Sequence, residues 1–91
     1  MSAITIYTKD YCPYCVKAKA LLEQKGLMKH VTEIDITKDA SKLQEMLSKA
    51  NGQRTVPQIF IGDTHVGGCD NLYALNESGK LQELLASNQL A

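Results

Sequence analysis

A Cys-x-x-Cys motif, Cys12-Pro13-Tyr14-Cys15, separates an apolar run from an amphipathic segment near the start of this chain. Residues 3–8 alternate apolar and polar side chains and are rich in β-branched residues, which predicts a strand. Beyond Pro13, apolar residues recur at helical spacing up to Gly26, which predicts a helix that ends there. Two closely spaced thiols at the junction of a strand and a helix are typical of a thiol–disulfide exchange site.

The two cysteines are predicted to play different parts because they occupy different helix positions. Pro13 suits the first helical position, so Cys12 falls at the N-cap, near the first-turn amides and the positive end of the helix dipole. These fields stabilise a thiolate, and cysteines so placed have pKa values of about 3.5 to 7.5, below that of a free cysteine. Lys9 and Lys17 add positive charge nearby. Cys15 is expected to be buried and protonated, so Cys12 is predicted to attack and Cys15 to resolve.

Two other uses of the motif are weaker. A closed zinc site usually has four Cys or His ligands, and the rest of the chain offers only Cys69, His30 and His65, without metal-type spacing. We therefore predict no metal site. A purely structural disulfide would close a very small loop, and the entropic stabilisation from a disulfide grows with loop size.

The composition limits the classes of protein to which the chain can belong. Ninety-one residues with 44% hydrophobic content predict one globular domain, residues 1–91. Ten basic and ten acidic residues cancel without a basic stripe, which argues against nucleic acid as a partner. The apolar stretches are too short to span a bilayer, so no membrane association is expected. The N-terminus lacks a signal-peptide pattern and the three cysteines are an odd number, so we expect a cytoplasmic protein.

The chain then continues to alternate strands and helices. Residues 30–36 are predicted to form a second strand, and a β-α-β unit of this length implies parallel strands with a right-handed crossover. A second helix is predicted to begin near Asp39 or Ser41 and to end at Asn51-Gly52.

A hairpin and two short helices complete the predicted architecture. Residues 57–61 and 64–66 flank Gly62-Asp63, which is a hairpin signal. Asp70 is expected to cap a short helix, and Gly79 separates that helix from a final one. The predicted order is β-α-β-α-β-β-α with a last helix added, a three-layer α/β domain in which helices flank a four-stranded mixed sheet.

Four segments of the chain resemble one known family. They are Tyr7-Thr8-Lys9, the Cys-Pro-Tyr-Cys motif, residues 55–61 with the sequence Thr-Val-Pro-Gln-Ile-Phe-Ile, and Gly67-Gly68-Cys69-Asp70. Their order and spacing resemble the glutaredoxins, in particular the small dithiol bacterial members often called type 3. The resemblance covers nearly the whole chain. It implies a thioredoxin-like fold, glutathione as the electron donor, and no bound cofactor.

The resemblance also implies a glutathione site. Lys9 matches the family lysine that meets the glycine carboxylate, and Gln53 and Arg54 are candidates to help it. Arg54 suits a bidentate contact with a carboxylate, although its position is equally compatible with a solvated surface arginine. The full set that the resemblance implies is Lys9, Tyr14, Gln53, Arg54, Thr55, Val56, Pro57, Gly68, Cys69, Asp70 and Asn71.

Two backbone features belong to this implied site. The Val56-Pro57 bond resembles the family's cis-proline loop, which would leave the Val56 backbone free to pair with an extended peptide. A trans proline that starts an edge strand is the alternative. Gly67-Gly68 lets a ligand approach closely, and the amides of Cys69 and Asp70 then form a carboxylate site at a helix start. In the family this site takes the γ-glutamyl carboxylate, and the aspartate takes the ammonium.

Several side chains keep a second interpretation. Asp70 can act as an N-cap, as a ligand or as both, and Asn71 stands where many relatives have an acidic residue, which puts the affinity in doubt. Tyr14 either covers the thioether region of the ligand or packs on the domain. Cys69 is either a small buried hydrophobe or a site of glutathionylation or dimer formation under oxidation. Tyr11 is expected to shield the attacking sulfur, and both histidines are expected on exposed faces without a chemical role.

The activity that these residues predict is reduction of protein disulfides and glutathione mixed disulfides by Cys12. The resemblance implies protein disulfides and glutathionylated proteins as substrates, with ribonucleotide reductase as a family expectation, and recycling of the donor by glutathione reductase and NADPH. We expect a monomer. A thioredoxin-like protein fed by thioredoxin reductase is one rival, although the chain has no tryptophan. An iron–sulfur cluster carrier is another, although Pro13 and Tyr14 argue against it.

Overall fold

Strands and helices alternate along residues 3–90, which are the residues that the computed structural model describes. The strands are β1 (Ile4–Thr8), β2 (Val31–Asp35), β3 (Gln58–Ile61) and β4 (Thr64–Gly67), and the helices are α1 (Pro13–Gln24), α2 (Ala40–Lys49), α3 (Cys69–Ser78) and α4 (Lys80–Ser87). This order confirms the predicted sequence of strands and helices.

Strands β1 and β3 occupy the centre of a four-stranded mixed sheet in the order β2-β1-β3-β4. β1 is parallel to β2, so α1 crosses over between them, and β3 is antiparallel to both β1 and β4. The turn of the β3–β4 hairpin contains Gly62 with φ of +58°, a conformation that glycine adopts without strain. The mixed sheet is therefore confirmed.

The register of the sheet brings three distant segments together at one end. Tyr7, near the end of β1, lies opposite Gln58, the first residue of β3. Gly67, the last residue of β4, lies opposite Ile59. The loop after β1, the loop before β3 and the junction of β4 with α3 consequently meet at the same edge of the sheet.

The two faces of the sheet bury different clusters of side chains. One cluster combines β-strand isoleucines with residues of α1, α3 and α4, and the other places Tyr7 and Phe60 against α2. Successive strand residues such as Phe60 and Ile61 belong to opposite clusters, as the alternation of side chains along a strand requires. Helices thus cover both faces, in agreement with the predicted layers.

Each end of β2 differs from the prediction by one residue, whereas α2 begins and ends as predicted. β2 starts at Val31 because Met28–His30 forms a 3-10 turn. Asp39 is the N-cap of α2 and its Oδ1 accepts a hydrogen bond from the Ser41 amide over 2.9 Å, as one of the two predicted starts requires. The helix ends at Lys49, before Asn51-Gly52, because both of those residues have positive φ.

The prediction that Asp70 caps α3 is wrong. The N-cap is Gly68, which has an extended backbone, and Cys69 is the first helical residue. Asp70 therefore lies in the first turn, where its carboxylate is exposed and complements the helix dipole. No side chain donates or accepts a capping hydrogen bond at the start of this helix as the structure describes it.

Candidate active site

A disulfide between Cys12 and Cys15 lies at the N-terminus of α1. Cys12 is the N-cap and Pro13 occupies the first turn, as predicted, and the Cα atoms of the two cysteines are 5.2 Å apart. The Cys15 amide donates a hydrogen bond to Cys12 Sγ over 3.2 Å, so a backbone N–H supports the sulfur that the sequence assigns as nucleophile. Cys15 is only 2% exposed whereas Cys12 is half-buried, which agrees with the predicted division of roles.

The loop that leads into Cys12 is fixed by contacts with the end of β2. The Asp10 amide donates to Thr37 Oγ1 over 2.8 Å, and the Thr37 amide donates to Asp35 Oδ1 over 2.7 Å. Hydrogen bonding from the Thr37 side chain and from the Thr37 amide lowers the pKa of Asp35 from its ordinary value. Tyr11 is left with φ of +57° and a fully exposed ring, so the expectation that it shields the attacking sulfur is wrong.

A groove of about 300 Å³ lies beside the disulfide. Its lining residues are Tyr14, Gln53, Thr55, Val56, Pro57, Gly68, Cys69, Asp70 and Asn71. All of them belong to the set that the family resemblance implies, and they come from three separate parts of the chain. The Val56-Pro57 peptide bond is cis, as that resemblance implies, and the Val56 carbonyl oxygen lies 3.8 Å from Cys12 Sγ. Val56, a residue of the groove wall, therefore lies next to the reactive sulfur.

The junction of β4 with α3 forms one side of the groove. Gly67 has φ of +104°, and the Asn71 side chain occupies the space that a Cβ on Gly67 would need. Cys69 is 4% exposed and packs in the core, and burial raises the pKa of its thiol above the ordinary value of 9.0, with Lys17 acting in the opposite sense. Lys17 itself lies 4.9 Å from the centre of the Tyr73 ring.

Two residues of the implied set lie outside this groove. Lys9 is exposed and lines a neighbouring depression of about 490 Å³ that also contains Cys12 and Cys15. Arg54 is exposed and lies on the same loop as Gln53 and Thr55, but it is not among the residues that line the groove. Tyr14 is 59% exposed at the groove, so its ring is accessible to a ligand.

The sequence analysis missed a buried hydrogen-bond network behind the groove. Gln58 is 1% exposed, and its Oε1 lies 2.6 Å from His65 Nε2. Its Nε2 contacts Thr55 and Gln53 on the loop before β3. The expectation that His65 occupies an exposed face is wrong, because its half-buried ring also stacks on Phe60 at 4.8 Å. A glutamine at the start of an otherwise apolar strand was the available signal, since buried amides require partners.

Neither a metal-binding cluster nor a membrane-spanning helix occurs in the described part of the chain. Within residues 3–90, no group of three or more His, Cys, Asp or Glu side chains is arranged to hold a metal ion. None of the helices described in that range has the length and apolar character needed to cross a membrane.

The fold and the redox-active disulfide together define a class of protein, the thiol–disulfide oxidoreductases with a thioredoxin-like fold. Comparison with known proteins narrows that class. A family model for glutaredoxin matches residues 4–66, and the chain belongs to the glutaredoxin family.

Individual relatives agree with this assignment. Glutaredoxin 3 of Escherichia coli strain K12 is 52% identical over 85 residues, which cover 93% of this chain and 99% of the relative. The solution structure of a glutaredoxin from Brucella melitensis is 50% identical, with a TM-score of 0.77 over 93% of this chain and 89% of that one. A buckwheat glutaredoxin, solved as its glutathione complex, is 34% identical, with a TM-score of 0.75 over 97% of this chain and 80% of that one.

Proposed function

We propose that this glutaredoxin reduces glutathione mixed disulfides and protein disulfides with glutathione as electron donor. The observation that carries the proposal is the groove beside Cys12, into which the start of α3 and the Val56-Pro57 loop both open. Unpaired first-turn amides of α3 suit a carboxylate, and glutathione carries two. The crystallised glutathione complex of the buckwheat protein adds support, because that protein shares the fold and a third of its sequence with this chain.

In the first proposed cycle, Cys12 acts alone. Its thiolate attacks the glutathione sulfur of a mixed disulfide, the old S–S bond breaks, and the target thiol leaves while Cys12 becomes glutathionylated. A glutathione thiolate then attacks that glutathione sulfur, so Cys12 is released as a thiolate and glutathione disulfide departs. The Cys15 amide stabilises the negative sulfur of Cys12 before and after the exchange.

In the second proposed cycle, both cysteines react. Cys12 attacks a protein disulfide and forms a mixed disulfide with the target, and Cys15 then loses its proton and displaces the reduced target by closing the Cys12–Cys15 bond. Two glutathione molecules reopen that bond and leave as glutathione disulfide, which glutathione reductase and NADPH recycle. No resident cofactor takes part in these steps. Glutathionylated proteins and disulfide enzymes such as ribonucleotide reductase are the proposed partners of a monomer in the reducing cytoplasm.

The test is NADPH-coupled reduction of the glutathione–hydroxyethyl mixed disulfide by wild type, Cys12→Ser and Cys15→Ser. We expect turnover by wild type and Cys15→Ser but none by Cys12→Ser, because only Cys12 is needed for the first cycle. Insulin disulfide reduction should require both cysteines. Turnover of the wild type with thioredoxin reductase, and none with the glutathione system, would refute the proposal and favour the thioredoxin-like alternative.

A further inference from the structure

The buried side-chain amide of Gln58 lies directly behind the groove. Gln58 Nε2 lies 2.9 Å from the Thr55 carbonyl oxygen, 3.2 Å from Thr55 Oγ1 and 3.3 Å from Gln53 Oε1. Thr55 and Gln53 both line the groove and are both exposed there. A single residue at the start of β3 therefore holds two groups of the groove wall from the protein interior.

The chemistry of the partners fixes the direction of every bond in this network. A carbonyl oxygen can only accept, so the Gln58 atom that faces Thr55 must be the amide nitrogen. Gln58 Oε1 then faces His65 and accepts from it, so His65 Nε2 carries a proton. The Thr55 carbonyl thus fixes the orientation of the Gln58 amide, and that orientation in turn fixes the proton on His65 Nε2.

The same argument fixes which groups remain free on the groove side. Gln53 Oε1 accepts from Gln58, so the two N–H groups of Gln53 are left to donate outward. Thr55 Oγ1 also accepts from Gln58, so the Thr55 hydroxyl proton is available to a ligand. The Gln53 N–H groups and the Thr55 hydroxyl can therefore both donate to the same ligand, which suits a carboxylate.

We propose that Gln58 and His65 are positioning residues that turn the Gln53 amide and the Thr55 hydroxyl so that both can donate to a free carboxylate of the substrate, and so favour a substrate that carries one. The proposal rests on the proposed function, which supplies glutathione as the ligand. His65 donates to Gln58, Gln58 donates to Gln53 and Thr55, and these donate to the ligand. His65 is held in place for this by its stacking on Phe60. Neither Gln58 nor His65 touches the substrate itself.

The test is a single-turnover reaction in the Cys15→Ser background, with the mixed disulfide of glutathione and nitrothiobenzoate as substrate. Cys12 attacks the glutathione sulfur, the S–S bond breaks, and coloured nitrothiobenzoate leaves, so no coupling enzyme is involved. The same substrate with its glycine carboxylate esterified measures the contribution of that carboxylate. The uncharged disulfide dithiodipyridine reports the intrinsic reactivity of Cys12.

Gln58→Glu is the principal variant, because it keeps the side-chain shape but presents acceptors to Gln53 and Thr55. We expect the acid substrate to react about tenfold faster than the ester with Cys15→Ser protein, and Gln58→Glu to remove most of that preference. Reaction with dithiodipyridine measures any general change in the Cys12 thiolate that the new carboxylate causes, and this change cancels in the acid-to-ester ratio. Gln82→Glu on the exposed surface of α4 introduces the same charge and should leave that ratio unchanged.

His65→Phe tests the network without altering the groove loop or the charge at Gln58. Phenylalanine keeps the stacking on Phe60 but donates nothing, so the buried Gln58 Oε1 loses its partner, Gln58 is held less firmly, and the acid-to-ester preference should fall about threefold. This variant also covers the case in which Gln58→Glu does not fold. An unchanged preference in folded Gln58→Glu or in His65→Phe overturns the proposal. Parent protein that turns over in the glutathione-coupled assay but ignores esterification overturns it as well, while leaving the proposed function intact.

Discussion

The side chain of Asn71 fills the space beside Gly67 that any Cβ at that position would enter. Gly67 also has φ of +104°, which L-residues with a side chain rarely adopt. These two constraints are independent, and both act at the junction between β4 and α3. Glycine at this position is therefore required by the fold, while Asn71, which lines the groove, depends on it.

Gly67→Ala should destabilise the protein by about 1–3 kcal/mol, because it adds backbone strain and displaces Asn71. Gly68→Ala is the matched control. Gly68 has a negative φ, and the nearest atom to its added Cβ would be the Pro57 carbonyl oxygen at 3.7 Å, an ordinary contact. Its weaker N-cap is offset by lower entropy of the unfolded chain, so its effect should be close to zero. Urea unfolding gives the free energy of unfolding of both variants. An equal loss of stability in the two would contradict a special requirement for glycine at position 67.

We expect selective alkylation of Cys12 in the reduced protein, because it is a half-buried N-cap residue whereas Cys15 and Cys69 are buried. With limiting iodoacetamide at about pH 6.5, Cys12 should react at least tenfold faster than Cys15 or Cys69, since thiolate character and access both favour it. Peptide mass spectrometry after tryptic digestion gives the three rates separately. Labelling of Cys15 ahead of Cys12 would reverse the proposed roles of nucleophile and resolving residue.

We expect the buried thiol of Cys69 to cause a specific loss of stability at alkaline pH. Burial raises the pKa of its thiol in the folded state, so the folded protein holds this proton more tightly than the unfolded chain does. The resulting stabilisation is complete below the pKa of the unfolded thiol, ordinarily 9.0, and is lost as the pH rises through the folded value. We expect wild type to exceed Cys69→Ala in stability by about 1 kcal/mol near neutral pH, owing to lost packing.

That difference should shrink as the pH increases above the ordinary value of 9.0. Chemical unfolding of both proteins in the presence of a phosphine reductant keeps Cys12 and Cys15 in the same state in each, so their titration cancels in the difference. A difference that is constant or that grows with pH would show that the Cys69 thiol is not protonated more strongly in the folded protein.

Replacing Tyr11, next to the active site, is expected to stabilise the protein. Its φ of +57° is costly for most residues, and its fully exposed ring has no burial to lose. Asparagine tolerates this conformation better, so Tyr11→Asn should raise the free energy of unfolding by about 0.5–1 kcal/mol. Tyr14→Asn serves as the control, because Tyr14 is also exposed but has a helical backbone. A loss of stability in Tyr11→Asn would indicate a contact made by the ring.

Local sequence signals were enough for the features that depend on neighbouring residues. The N-cap position of Cys12 follows from Pro13, and the hairpin turn follows from Gly62-Asp63, because each depends on conformational preferences within a few residues. Asp70 shows the limit of this reasoning. It is a good capping residue, but the extended backbone of Gly68 starts the helix two positions earlier than an Asp70 cap would have it begin.

Contacts between distant segments could not be predicted from neighbouring residues. The pairing of Gln58 with His65 depends on the register of β3 and β4, and the bond from Asp10 to Thr37 depends on the parallel pairing of β1 and β2. A sequence shows that a polar residue needs a partner, but the sheet decides which residue that partner is. The groove itself was anticipated through family resemblance, and its assembly from three segments follows from the strand order.

The cap of α1 is also the reagent of the protein. Most helices begin on a serine, threonine or aspartate whose oxygen is chemically inert, whereas here the Cys15 amide is satisfied by a sulfur that changes its bonding partner. In the proposed cycles this sulfur is successively a thiolate, part of a mixed disulfide with glutathione or a target protein, and part of the disulfide with Cys15. The chemical state of the group that caps the first turn of α1 therefore changes at each step. The local order of that turn should accordingly depend on the redox state of the chain.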